Sequence, residues 1–165
     1  MSWGEDSAVT WKNCSFSELS ADLLYQLLML RQQVFIVEQQ CPYADADGWD
    51  SSASHLLAFA ADATLIACCR MLPPGSRYAE ASIGRVVVHS DWRRRGLGHE
   101  LIERATTAVR AQFPEAAIRI GAQSHLVSFY GRHGYQPVGE QYPVDRIPHQ
   151  DLLLSTKETA CRDTR

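Results

Sequence analysis

A glycine-containing turn at residues 93–99, Arg-Arg-Arg-Gly-Leu-Gly-His, carries the clearest chemical signal in the sequence. It lies between a run of three valines and a helical pattern, so it opens a helix. The first turn of a helix leaves backbone N–H groups without partners, and the helix dipole adds positive charge there. Gly96 and Gly98 would let a ligand approach the bare amides, and the arginines add cationic charge. We therefore predict an anion site suited to a diphosphate.

Two well-known phosphate motifs do not match this turn. A dinucleotide fingerprint needs a third glycine at the position that Leu101 occupies, and the chain has no G-x-x-x-x-G-K-[ST] run. What stands here is R-x-x-G-x-G, formed by Arg93, Gly96 and Gly98. The alternative interpretation is a glycine-bearing turn beside solvated arginines.

A second group of chemically useful residues follows downstream, at residues 123–135. The segment predicts a short helix that Gly134 ends. Phe129 is expected to fill the core. Tyr130 is less clear, because a buried hydroxyl needs a polar partner.

The elements that must position these residues can be predicted from hydrophobic periodicity and turn signals. Helices are expected from Ser17 or Ser20 to about residue 36, from 96 to about 113, and over 124–133. Strands are expected at 10–16, 55–61, 64–72, 82–89, 117–122, 135–139 and 151–154. The order β-α-β-β-β-α-β-α-β-β predicts an α/β or α+β fold with a largely antiparallel sheet. One domain over 1–165 is expected, with a core at about 10–154 and a polar tail at 155–165.

Composition narrows the classes of function. The chain has 165 residues and a formal charge of -3, without a long basic run, so broad attraction to nucleic acid is not expected. It has neither a stretch of about 20 apolar residues nor a signal-peptide pattern. The five cysteines are scattered at Cys14, Cys41, Cys68, Cys69 and Cys161, which predicts reduced thiols in a cytoplasmic protein without a membrane partner.

Three motifs stand in order: the strand with Val86, Val87 and Val88, the R-x-x-G-x-G turn, and the segment from Phe129 to Tyr135. Together they resemble the GCN5-related N-acetyltransferases, the GNAT superfamily, over roughly residues 20–154. Closer runs, among them Leu30 to Tyr43, Asp45 to Gly48 and Gly121 to His125, resemble its ElaA-type branch. The resemblance implies a GNAT acyl-CoA N-acyltransferase fold, in which a mixed, mostly antiparallel sheet with splayed central strands is flanked by helices. It also implies acetyl-CoA as cosubstrate without a metal.

The resemblance further assigns residues. It implies that pantetheine lies along the strand that ends at residue 89, that the amides of residues 94–99 bind the pyrophosphate, and that Tyr130 protonates the departing thiolate. Gln123 stands where many relatives carry Asn, so the resemblance does not fix which group Gln123 contacts. The implied cofactor-binding residues are Val86, Val87, Val88, Arg93, Arg94, Arg95, Gly96, Leu97, Gly98, His99, Gln123 and Tyr130.

The general base is not fixed by the sequence. Glu38 is a candidate catalytic and substrate-binding residue, against the alternative of a surface glutamate. His55 and His149 are further candidates, each also interpretable as a structural histidine, and His149 is placed in the substrate pocket. Arg31 could bind a substrate carboxylate, or pair with Glu38 or an aspartate. Water could also relay the proton.

Two other features are set aside. The aspartates at 45, 47 and 50 do not match a calcium loop, since glycine is fourth and residue 56 is leucine. Cys41 lacks an identifiable base and is read as a structural thiol.

The predicted function is transfer of acetyl from acetyl-CoA to a small-molecule or protein amine, by direct attack in a ternary complex. A homodimer remains an option. The rivals are a non-catalytic acyl-CoA sensor on the same fold and a reaction like that of acyl-homoserine-lactone synthases.

Overall fold

A seven-stranded sheet with helices on both faces forms the protein. The computed structural model describes residues 8–156. Its elements are β1 (Thr10–Ser15), α1 (Ala21–Gln32), β2 (Ser54–Phe59), β3 (Leu65–Leu72), β4 (Ala81–Val88), α2 (Leu97–Gln112), β5 (Ile118–Gln123), α3 (Val127–Gly131), β6 (Gln136–Val144) and β7 (Ile147–Leu154). The sheet order is β1-β2-β3-β4-β5-β7-β6, and among these strands β4 and β5 form the parallel pair. The predicted element order and the largely antiparallel sheet are confirmed.

Each face of the sheet packs against one long helix. The buried stripe of α2, which includes Leu101, Ile102 and Ala105, packs into the larger core beside Ile83 and Ile120. On the other face, α1 packs over the first four strands. The smaller core there comprises Cys14, Leu27, Leu30, Val34, Leu57, Leu65, Cys68 and Val87. Apolar residues at helical spacing therefore produce the two layers that the sequence predicts.

Helix α1 begins as predicted and ends differently. The Ser20 hydroxyl accepts a hydrogen bond from the Leu23 amide at 3.1 Å, as an N-cap does. The α-helical part stops at Gln32, and the chain continues as a π-helical segment over Gln33–Glu38. Such wider turns are frequent at functional sites. Here the segment buries Val34 and leads into the residues that wall the cavity described below.

The last two strands are longer than predicted. Expected at 135–139 and 151–154, they run over Gln136–Val144 and Ile147–Leu154 and form a hairpin. Pro137 and Pro143 both lie within β6, which is an edge strand, where a missing N–H donor is tolerated. Asp145 and Arg146, with φ of 44° and 68°, form the two-residue turn.

The short helix near residue 130 is also more limited than predicted. The segment expected at 124–133 divides into a 3₁₀ turn at Ser124–Leu126 and helix α3, and Gly134 ends it with φ of 86°. Phe129 packs against the larger core.

The four cysteines within the described residues are free and buried, and Cys161 lies outside that range. No helix within residues 8–156 is long and apolar enough to cross a membrane.

Candidate active site

Strands β4 and β5 part soon after they begin. Their parallel pairing is limited to Ala81 opposite Ile118 and Ser82 opposite Arg119. Beyond that point the two strands diverge, and residues of both line one cavity. The backbone edges in this gap can pair with an extended, amide-containing arm as an added strand would. The fork expected between the fourth and fifth strands is therefore present.

A bulge in β4 sets which way its side chains point. The β3–β4 register jumps between Cys68 and Arg70, so that Cys69 faces two residues, Arg85 and Val86. Arg85 has a φ of 51°, a conformation that the bulge imposes. The bulge places the Arg85 side chain beside the aspartates of the 45–50 loop, while Val86 lines the cavity.

The glycine-containing turn forms a concave cluster of amides at the start of α2. Arg94 and Gly96 both have positive φ, 62° and 80°. The first helical bond runs from the Glu100 amide to the Gly96 carbonyl at 3.1 Å. The N–H groups of residues 94–99 therefore precede the helical ladder and lack partners within it. Successive amides in this conformation, at a helix N-terminus, suit the two charges of a diphosphate.

Several predicted cofactor residues can serve only through their backbone. Val87 is 2% exposed and Leu97 5%, and their side chains belong to the two cores. An added Cβ at Gly98 would make ordinary contact with the Phe129 ring, at 3.5 Å. The buried side chains of Val87 and Leu97 hold the two ends of the turn.

Arg93 does not point freely at a ligand. Its Nε donates to the Val88 carbonyl at 3.0 Å, and its Nη2 donates to Glu38 Oε2 at 2.8 Å. Arg93 thus ties the end of β4 to the π-helical segment. Arg94 and Arg95 are exposed, and Arg95 lies over the Trp92 ring at 5.1 Å.

His99 is bonded to a residue that follows α3. Its Nδ1 lies 2.9 Å from His133 Nε2, and its ring lies 4.5 Å from that of Phe129. Burial and the neighbouring His99 lower the pKa of His133, so the pair favours the neutral state of this ring. Because Nδ1 of His99 is already bonded to His133, only the His99 backbone amide and Nε2 remain for a ligand.

Tyr130 lies at the inner end of the cavity, 4% exposed. Burial raises the pKa of its phenol, with smaller contributions from Cys69 and Tyr135, so the hydroxyl keeps its proton over the physiological range. No hydrogen bond among residues 8–156 involves this hydroxyl. It is therefore available to a ligand in the cavity.

The cavity has a volume of about 240 Å³. Gln123 lines it and donates through Nε2 to Gln39 Oε1 at 2.9 Å, which bridges the end of β5 to the segment after α1. The remaining lining combines apolar side chains of the fork with the polar and aromatic residues Tyr43, Arg70, Arg77, Tyr78, Arg85, Tyr142, Asp145 and His149.

A buried network of ion pairs supports one wall of this cavity. Arg31 Nε donates to Asp45 Oδ2 at 2.8 Å, and Arg31 Nη1 donates to Asp50 Oδ1 at 2.6 Å. Arg70 makes a two-pronged pair with Asp47, at 2.6 and 2.9 Å. Arg85 adds bonds to Asp47 Oδ2 and to the Asp45 carbonyl, both at 3.1 Å. Three arginines thus balance three aspartates, and the loop is pinned to α1, β3 and β4.

The network shifts the pKa values of its carboxylates. Burial alone would raise the pKa of Asp47, but the hydrogen bond and charge of Arg70, the Trp49 amide and Arg85 lower it from 3.8 to about 2. Burial likewise opposes ionisation of Asp50, yet the bonds from His55 and Arg31 hold its pKa well below the usual value. Both groups are ionised partners at neutral pH.

Two substrate-site predictions are corrected by this network. Arg31 is 1% exposed and fully occupied by Asp45 and Asp50, so it is not available to a substrate carboxylate. The alternative, pairing with an aspartate, is what the structure shows. His55 is also 1% exposed, and its Nε2 bonds Asp50 at 3.1 Å, which makes it a structural histidine.

The geometry also argues against Glu38 as the base. It is absent from the cavity lining, and its carboxylate bonds the Arg93 guanidinium. His149, by contrast, lines the cavity, and its place in a substrate pocket stays a prediction.

Sequence reasoning missed most of the acceptor side. Tyr43, Tyr78 and Tyr142 come from three separate segments and meet only through the fold. Arg70 did carry a signal, since a charge inside the apolar run Leu65–Leu72 must be paired if buried.

Comparisons with known proteins agree with this arrangement. A family model described as "Acetyltransferase (GNAT) domain" matches residues 22–155. ElaA of Escherichia coli (strain K12) is 38% identical over 143 residues, which cover 86% of this chain and 93% of ElaA. A solved acyl-CoA N-acyltransferase from Pseudomonas aeruginosa is 40% identical with a TM-score of 0.85, covering 88% of this chain and 99% of its own. The crystal structure of Escherichia coli ElaA gives 36% identity, a TM-score of 0.83 and coverage of 88% and 99%. The chain therefore belongs to the GNAT family of acyltransferases, and within that family it is ElaA-like.

Proposed function

We propose that this protein transfers the acetyl group of acetyl-CoA to an amine that enters the cavity beside Tyr130. The observation that carries the proposal is one arrangement. The parted strands β4 and β5 connect the amide cluster of residues 94–99 with the cavity that Tyr130 lines, and the protonated Tyr130 phenol has no hydrogen-bond partner among residues 8–156. Membership of the GNAT family supports acyl transfer as the reaction class.

The donor substrate suits the residues present. The amides of residues 94–99 would hold its pyrophosphate, with Arg94 and Arg95 adding positive charge. The exposed backbone of β4 near Val86 and Val88 would bond the pantetheine arm, which directs the thioester to the inner end of the fork. Gln123, fixed by Gln39, would limit the width of that end.

Tyr130 would supply the proton that the leaving thiolate needs. Its pKa is raised, so the phenol is protonated when the reaction begins. A donor beside the sulfur lowers the barrier to cleavage of the C–S bond. The low-polarity surroundings of the ring strengthen that interaction.

The test is release of free thiol from acetyl-CoA across a panel of amines. The panel holds polyamines, aromatic amines, amino acids, and peptides with a free N-terminus or lysine. We expect thiol release that depends on both the amine and the enzyme, together with the acetylated amine in the mass spectrum. Tight binding of CoA without turnover of any amine would contradict the proposal and favour the sensor.

A further inference from the structure

The tautomer of the neutral His149 ring is set by its own strand. Nδ1 lies 2.8 Å from the carbonyl oxygen of Ile147. A carbonyl oxygen can only accept, so Nδ1 carries the hydrogen. A neutral imidazole has one N–H, and the lone pair therefore resides on Nε2. This is the arrangement of a proton acceptor.

The ring is also held in place. It stacks on Tyr142, with centroids 6.0 Å apart and planes inclined by 28°. The Tyr142 hydroxyl in turn donates to Asp151 Oδ1 at 2.5 Å, and Asp151 pairs with Arg119. A ring fixed by stacking and by Nδ1 presents Nε2 in one direction.

Nε2 is unbonded on the cavity side. His149 lines the same cavity as Tyr130 and stands opposite Gln123 in the β5–β7 register. No hydrogen bond among residues 8–156 uses its Nε2. Glu38 and His55, the other candidate bases, are bonded to Arg93 and Asp50 and lie outside the cavity lining.

We propose that His149 is the general base for the acceptor amine, a role that rests on the proposed acetyltransferase function. Nε2 takes one proton from the acceptor ammonium, and the freed nitrogen lone pair attacks the thioester carbon. The C–S bond breaks with its electron pair moving to sulfur, and the thiolate takes the Tyr130 proton. The new amide nitrogen loses its second proton to the Tyr130 phenolate. The net products are the acetylamide, the CoA thiol and one proton on His149, which passes to solvent.

Nε2 shares its cavity with other titratable and charged groups. Burial and the Asp151 hydrogen bond raise the pKa of Tyr142, so this neighbour stays neutral. Arg70 and Arg85 are balanced by the aspartates of the 45–50 loop. The other titratable or charged groups that line the cavity are Cys41, Tyr43, Arg77, Tyr78, Tyr130 and Asp145.

The first test needs no turnover. Nitrogen-15 spectra of the histidine-labelled protein, assigned by comparison with His149→Gln, report which ring nitrogen is protonated. We expect the neutral ring of His149 to carry its hydrogen on Nδ1. A hydrogen on Nε2 of the neutral ring would overturn the inference, whether or not the protein is an acetyltransferase.

The second test separates proton removal from positioning. Benzylamine is protonated at neutral pH, whereas the similarly shaped aniline is already neutral. His149→Gln should lower benzylamine turnover by about 10²–10⁴-fold, lower aniline turnover much less, and leave CoA affinity unchanged. Equal losses for the two amines would overturn the role as base. If the wild-type protein acetylates neither amine, the proposed function loses support from this pair, and the tautomer measurement still decides the inference.

Discussion

Arg31 Nη1 lies 2.6 Å from Asp50 Oδ1, which joins the last turn of helix α1 to the loop that enters β2. The same guanidinium bonds Asp45 through Nε. The same stretch of chain carries Tyr43, which lines the cavity. The buried ion pairs therefore hold in place a segment that forms part of the cavity wall.

Removal of Arg31 should destabilise the protein severely. Arg31→Met leaves Asp45 and Asp50 buried without their main partner, a change that costs about 3–5 kcal/mol. The matched control is Arg104→Met, because Arg104 pairs with Glu100 on the surface and should cost about 1 kcal/mol or less. Urea unfolding followed by circular dichroism gives both free energies. Equal losses of unfolding free energy in the two variants would show that the buried ion pairs stabilise the protein no more than a surface pair does.

The same network predicts a loss of stability in acid. The pKa of Asp47 is lowered from 3.8 to about 2 on folding. A lowered pKa contributes stability that is present above the unfolded value and is lost as pH falls through the folded value. The urea midpoint should therefore fall between pH 4 and pH 2 through this group. In Asp47→Asn the urea midpoint should change less with pH over this range. An equal dependence of the midpoint on pH in the two proteins would contradict a lowered pKa at Asp47.

The sequence predicted the elements of the proposed donor side because its signals are local. The three valines, the turn with Gly96 and the short helix with Tyr130 each carry their own pattern. Their order along the chain also fixes which strands part. The groups proposed to bind the donor there are backbone amides, and turn residues predict backbone conformation directly.

The acceptor side required long-range contacts. Arg31 meets partners 14 and 19 residues away, and periodicity does not reveal such pairings. His149 lies before the strand expected at 151–154, and Tyr142 lies after the strand expected at 135–139, so neither was placed on a strand. The pairing of β6 with β7, which extends both strands, is a contact that periodicity does not reveal.

Tyr130→Phe should reduce turnover without weakening CoA binding. The variant removes the proton donor and keeps the ring that fills the inner end of the cavity. We expect kcat with acetyl-CoA to fall by about 10²–10⁴-fold. Calorimetry with CoA should give an affinity close to that of the wild type. Wild-type kcat in the variant would remove Tyr130 from the chemistry.

Glu38→Gln should affect donor affinity more than the pH profile. The substitution breaks the ion pair that anchors Arg93, and so loosens the end of β4 beside the amide cluster. We expect a higher KM for acetyl-CoA, while the rate still falls at low pH as in the wild type. Loss of that acidic limb would identify Glu38 as the base instead.

Calorimetry of CoA binding to Gly96→Glu tests the central claim most directly. Gly96 has a φ of 80° with open space around it, so the variant adds strain and a negative charge to the amide cluster. The control is Gly139→Glu, at a φ of 71° in the edge strand β6, which adds the same charge under similar strain. We predict that Gly96→Glu binds CoA at least about 100-fold more weakly, since like charges in contact cost several kcal/mol, while Gly139→Glu binds normally. Equal affinity for Gly96→Glu and the wild type would show that the pyrophosphate does not bind at this turn.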